Sequence, residues 1–312
     1  MNIKKIGLTA LAGSLVATSA FAGSMSVSGG ASFEVQHVNG GAANAGKAYS
    51  MGNSVTFTGS GELDNGLSIT YSVELDRDAG TGTNNPFDAH SVKVASDDFG
   101  TLTFSGHAGS SAQSAVDDMA SGDIWDNGFS ATGAPTSSTS DNSIGYALPS
   151  LMDGLAVNVS YVPHTSTQYE GTFDWAVAYT GFEGLTVGYA SSDNQAGVNL
   201  DNDKSTVYAK YAVGGFTIGY QMSENDHDTK TSSQSSSSYG ITYAVNDDLS
   251  VSVDRSTSDR DTQANDEETT SYQVSYTVGS MKVKAHLTKA DNVGYSSTAT
   301  DENKALAVSF SF

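Results

Sequence analysis

Residues 60–76 read SGELDNGLSITYSVELD, and the case for the fold starts from them. Leu67, Ile69, Tyr71, Val73 and Leu75 are apolar at every second position, and Ser68, Thr70, Ser72, Glu74 and Asp76 between them are polar. That is the period of a β-strand whose two faces meet different surroundings. Asp64-Asn65-Gly66 just before it is a tight-turn signal, and Val55 and Phe57 on the other side of the turn keep the same alternation. The stretch is therefore a β-hairpin with one apolar and one polar face.

The same pattern extends in both directions. Upstream lies Met25, Val27, Ala31, Phe33 and Val35; downstream come Val92 and Val94, Leu102 and Phe104, Ile144, Tyr146 and Leu148, and then Leu155 to Tyr161. It continues through segments beginning at Phe173, Leu185, Val207, Phe216, Tyr239, Leu249, Tyr272 and Met281, and ends on Leu306, Val308, Phe310 and Phe312. About sixteen segments result, an even number.

Their connections alternate in length. Short turns fall near 64–65, 97–99, 150–153, 182–183, 214–215, 246–248 and 279–280. Long polar loops fall near 38–52, 77–88, 108–141, 164–171, 192–203, 223–237, 256–268 and 288–303. Short turns on one rim and long loops on the other is the plan of a bacterial outer-membrane barrel. This places residues such as Asn44, Asn194 and Asn265 outside the cell and Asn65 and Asn246 on the periplasmic side.

Composition agrees with an exported, all-β chain. Lys4 and Lys5, the apolar stretch 6–16 and the small-x-small site Ala20-Phe21-Ala22 read as a secretory signal peptide over 1–22, leaving a barrel domain over 23–312. No later apolar run is long enough for a helical span, so a membrane-embedded chain has to close as a barrel. Cysteine is absent, which removes disulfides, zinc-thiolate sites and thiol chemistry, and the 33 Gly against only four Pro suit strands and turns. The chain carries 35 acids and 14 bases, and loss of Lys4 and Lys5 with the leader leaves 12 bases and a net charge of −23. Nucleic acid is excluded as a partner by that charge.

Aromatic residues sort by depth along the apolar face. Tyr161, Trp175, Tyr189, Tyr220, Tyr239 and Tyr272 lie toward the long loops, and Tyr179, Tyr211, Phe216, Tyr243 and Tyr276 toward the short turns. Two aromatic belts separated by aliphatic residues match the two interfaces of a bilayer. The opposite face is polar, so it lines water, and alternation turns Glu34, Glu74, Asp76, Lys93, Lys210, Lys282 and Lys284 toward that interior.

Together these segments resemble the general, non-specific diffusion porins of α-proteobacteria. The hairpin at 60–76, VKVASDDFGTLTFSG at 92–106 and YALPSLMDGLAVNVSYVP at 146–163 look like that family's strand-turn-strand units, and the terminal strand ending in Phe312 resembles the one read by the outer-membrane assembly machinery. The resemblance implies a transmembrane antiparallel β-barrel of about sixteen strands, a homotrimer in outer-membrane lipid, and passive diffusion of small hydrophilic solutes and ions. It also implies that the loop after the fifth strand folds inward and narrows the channel, with Asp117, Asp118, Asp123 and Asp126 at the constriction. The chain departs from the family in its bases: its only arginines are Arg77, Arg255 and Arg260, all at strand ends or in loops.

Other chemistry is sparse. The six histidines have no metal-ligand spacing and no nucleophile-elbow motif occurs, so the chain is not read as an enzyme; an outer-membrane hydrolase would have to use Ser105 with His107. A second alternative is a plugged, non-conducting structural or adhesive barrel. No cofactor is expected, except that acidic loops can hold calcium, with Asp117, Asp118 and Asp123 the candidate ligands. Outward-parity Gly29, Gly59, Gly61 and Gly106 mark the early strands as a wall that a neighbouring copy could approach closely.

Overall fold

A computed structural model of the chain describes residues 23–40, 46–76, 87–112, 141–163, 171–193, 195–197, 200–228 and 233–312. The segment 1–22, expected as a signal peptide, and the acids Asp117, Asp118, Asp123 and Asp126, expected at a constriction, lie outside the described residues.

The strands are β1 (Ser24–Gly40), β2 (Gly46–Glu62), β3 (Ser68–Asp76), β4 (Phe87–Ser96), β5 (Gly100–His107) and β6 (Ser143–Ala147). Next come β7 (Leu155–Val162), β8 (Thr172–Phe182), β9 (Leu185–Asp193), β10 (Gln195–Gly197), β11 (Leu200–Val213) and β12 (Phe216–His227). The last are β13 (Gln234–Ala244), β14 (Leu249–Arg260), β15 (Glu267–Val278), β16 (Met281–Asp291) and β17 (Thr300–Ser311). Each long strand pairs antiparallel with the next, and β1 pairs with β17 from Gly30↔Ser311 to Gly40↔Asp301, which closes the ring. The three residues of β10 pair only with the start of β11, while β9 pairs directly with β11, so the barrel has sixteen staves and one short ladder within a loop.

Closure satisfies every strand edge, which is what a sheet needs in lipid. A 12-residue stave tilted about 40° rises about 30 Å, enough to cross an apolar band of roughly 25 Å. Outward residues such as Ile218, Val251 and Tyr272 are exposed around the barrel, and an apolar outer belt of that extent is stable only against hydrocarbon. Aromatic neighbours pack where the sequence puts the belts: Trp175 on Tyr189 at 5.2 Å and Phe216 stacked on Tyr243 at 4.5 Å. On the short-turn rim, Gly214 and Gly279 adopt φ of +58°, a conformation that a tight hairpin requires and that side chains resist.

The long-loop rim departs from the sequence reading in one respect. Residues near 38–52, 223–237, 256–268 and 288–303 were expected as loops, yet β1, β12, β14 and β16 run to Gly40, His227, Arg260 and Asp291, and their partners resume at Gly46, Gln234, Glu267 and Thr300. Above the bilayer both faces of a hairpin meet water, so the hydrophobic alternation vanishes while the backbone ladder continues. The wall is lowest at β5 and β6, of 8 and 5 residues, beside the point where the longest connection leaves.

Candidate functional site

Cross-strand partners share a face, so the register fixes what lines the interior. Glu34, Ala307 and Lys284 form one inward row across β1, β17 and β16, and Ser32, Ser309 and Lys282 form the next. Glu74 and Lys93 both line a lumenal recess of about 380 Å³ between β2 and β7, and Glu74 and Asp76 line a second of about 280 Å³ beside β1 and β17. Lys210, paired with Thr186 and Gly219, also points inward. Register and recess lining thus put these residues on the inner face of the ring.

The first recess also shows how the longest connection begins. It leaves β5 through Ala108, which adopts a left-handed φ of +50°, and returns at Asn142 with φ of +57°. Between them Ser111 and Ala112 are buried against the inner wall, and Ser110, Ser111 and Ala112 line the recess with Lys93 and Ser160. Ser111 Oγ donates to Asp174 Oδ2 at 2.7 Å, Ser160 Oγ donates to the same oxygen at 3.0 Å, and the Ala112 N–H donates to Ser160 Oγ at 2.7 Å. Asp174 is 0% exposed. The stem of the connection therefore turns into the barrel and is tied to β7 and β8 by one buried carboxylate. A row of paired residues runs around the wall from Lys93 through Thr103, Gly145, Ser160, Asp174 and Ser192 to Lys204, so that carboxylate stands between two lysines.

Sequence reasoning missed this clasp and several inward charges: Lys204 on β11, Asp174 on β8, Asp254 on β14, Glu267 on β15 and Asp301 on β17. Parity alone places each of them. Asp174, between Phe173 and Trp175, was legible as an inward acid, but nothing local tells that a serine 63 positions earlier will meet it.

The proposed hydrolytic pair does not form. Ser105 and His107 both line the recess, yet His107 Nδ1 lies 3.4 Å from Asp88 and Nε2 lies 3.7 Å from Asp141, so both ring nitrogens face carboxylates. These contacts join β4 to both roots of the long connection. Two of the four outward glycines also serve their own chain: the His90 imidazole fills the space over Gly106, and the Phe312 ring lies 2.8 Å from where a Gly29 Cβ would stand. Gly59 has open space above it. Among the described residues no group of three or more His, Asp or Glu could hold a metal ion; the candidate calcium ligands lie outside them.

A family model described as Gram-negative porin matches residues 7–295. The chain belongs to that family. Among solved structures, an engineered variant of the porin from Rh. blastica superposes with a TM-score of 0.74 at 16% identity, covering 93% of this chain and all of that one. An anion-selective porin from Comamonas acidovorans superposes with a TM-score of 0.70 at 15% identity, again over 93% of this chain and all of that one. No curated protein matches the chain by sequence. At such identities the superpositions speak for the fold, and the family match for what the barrel is: an outer-membrane channel and not an enzyme. In this porin the residues above lie on the inner face of the barrel.

Proposed function

We propose that this porin admits small hydrophilic solutes and ions by passive diffusion and favours cations. The observation that carries the reading is the balance of charge on the inner wall. Glu34, Glu62, Glu74, Asp76, Asp174, Asp254, Glu267 and Asp301 outnumber Lys93, Lys204, Lys210, Lys282, Lys284 and Arg260 there, and the connection whose stem enters the lumen carries Asp117, Asp118, Asp123 and Asp126. Carboxylates around a narrow aqueous path select cations at close quarters. The Comamonas porin is described as anion-selective, so this proposal sets the two apart despite a shared fold.

Reversal potential under a salt gradient in planar bilayers tests it. Cation selectivity is expected at low salt and should fade toward 1 M, where the Debye length is about 3 Å. Replacing Asp117, Asp118, Asp123 and Asp126 together by Asn should shift the potential toward zero; an anion-selective wild type refutes the reading. A folded barrel with no conductance at all would favour the plugged alternative. Three of these carboxylates, Asp117, Asp118 and Asp123, are the proposed calcium ligands, for which a chelator should alter conductance in the wild type and not in the quadruple variant.

A further inference from the structure

We propose that Tyr295 pins the last long-rim loop, residues 292–299, across the mouth of the channel as a second size filter, independent of the connection after β5. This rests on the porin reading. The loop leaves β16 and returns to β17, but its tip does not stay there. Residues 293–295 form one 3-10 turn, and Tyr295, 7% exposed, hydrogen-bonds through its hydroxyl to Gln234 Nε2 on β13 and, at 3.1 Å, to Ser258 Oγ on β14. Gln234 and Ser258 share a face with Ser236 and Ser256, the inward set of their strands. From β16 to β13 is three strand spacings, a reach of about 14 Å. A loop that meets the inner faces of β13 and β14 from that start has to pass over the inner face of β15.

Contacts along the way hold it there. The Gly294 N–H donates to Glu267 Oε2 at 2.8 Å, Asn292 Nδ2 to the Asp266 carbonyl at 2.8 Å, and Asn265 Nδ2 to the Tyr295 carbonyl at 3.3 Å. The Arg260 guanidinium lies 5.1 Å from the Tyr295 ring centroid, within cation–π range. Asn292, Gly294 and Tyr295 all take left-handed φ, at +56°, +63° and +64°, a conformation that a tyrosine keeps only where its surroundings over-determine it. The wall beneath is closely covered: Ser256, Ser258, Glu267 and Thr269 are buried, whereas Ser32 and Glu34 on β1 and Glu74 on β3, three and five staves on from β15 around the ring, are half-exposed. One side of the mouth is thus occupied by a strap whose farthest-reaching anchor is Tyr295, the residue that ties it to β13 and β14.

Liposome swelling with a pentose, a hexose, a disaccharide and a trisaccharide reads the filter, on wild type, Tyr295→Phe, Tyr295→Ala and a variant in which residues 292–299 are replaced by Asn-Gly. Because narrow pores discriminate by diameter, the disaccharide-to-pentose rate ratio should rise about threefold or more in the shortened variant and in Tyr295→Ala. Tyr295→Phe, which keeps the ring over Arg260, should fall between these and wild type. An unchanged ratio in Tyr295→Ala, with the barrel still heat-modifiable on gels, overturns the proposal whether or not the shortened variant folds. A wild type that passes no sugar at all is a failure of the porin reading, and it shows before any variant is made.

Discussion

Asp174 holds the largest consequence for one side chain. A buried carboxylate costs desolvation, and its two hydroxyl donors, Ser111 and Ser160, offset that cost at about 1.5–3 kcal/mol per bond to a charged group. Asp174→Ala should therefore release the stem of the long connection. Segment 113–140 contains no Lys or Arg but does contain Trp125 and Phe129, so chymotrypsin, and not trypsin, reports on it. Cleavage there should speed up by about tenfold or more in Asp174→Ala and by less in Asp174→Asn, which keeps one acceptor. Equal rates in all three proteins would mean that the stem is held by something else. Gly29 makes the second point at this scale. Its N–H and carbonyl pair with Phe312 at 2.9 and 3.0 Å, and a Cβ would meet both the Phe312 ring and the Ser54 carbonyl oxygen at 2.8 Å. Gly29→Ala should loosen the β1–β17 seam and lower the temperature at which heat-modifiability is lost on gels; an unchanged midpoint would show that the ring moves aside freely.

Among the elements, the strands were legible and their upper ends were not. Alternation marks a strand only where one face meets hydrocarbon, and it placed the membrane-level part of every stave. Above that level β12 continues as Ser-Glu-Asn-Asp-His and β14 as Arg-Ser-Thr-Ser-Asp-Arg, polar on both faces, with nothing but backbone pairing to keep them extended. The rim assignment itself predicts labelling. The chain has no cysteine, so Asn265→Cys, in the turn after β14, should react with an impermeant maleimide on intact cells, and Asn65→Cys and Asn246→Cys should not. Equal reaction at all three would invert or abolish the assigned orientation. Asn65 and Asn246 each accept backbone hydrogen bonds within their turns, so the substitutions also loosen those turns slightly without moving them across the membrane.

For the whole molecule, the low wall at β5 and β6 and the bare outward surface of Gly59 favour assembly of copies side by side, and a homotrimer is the proposed state. Mass measured in native detergent complexes should correspond to a trimer that heating converts to monomer. A monomer before heating would rule that out. Gly29 and Gly106 no longer argue for the contact, because each accommodates a side chain of its own protomer.

The amino-acid order alone determined the count of staves, the sorting of short turns and long connections onto opposite rims, and the inward or outward sense of residues as far apart as Glu34 and Lys284. All of these follow from a period of two, from charge and from turn chemistry, which are local properties. What lies inside the barrel was decided only by closure. Ring formation brings Ser111 to Asp174, and Tyr295 to Gln234 61 positions earlier, and sets Phe312 over Gly29 at the seam. Such contacts depend on strand order, stagger and the curvature of the wall, and serine, tyrosine or glycine at those positions looks no different in sequence from the same residue in any polar loop.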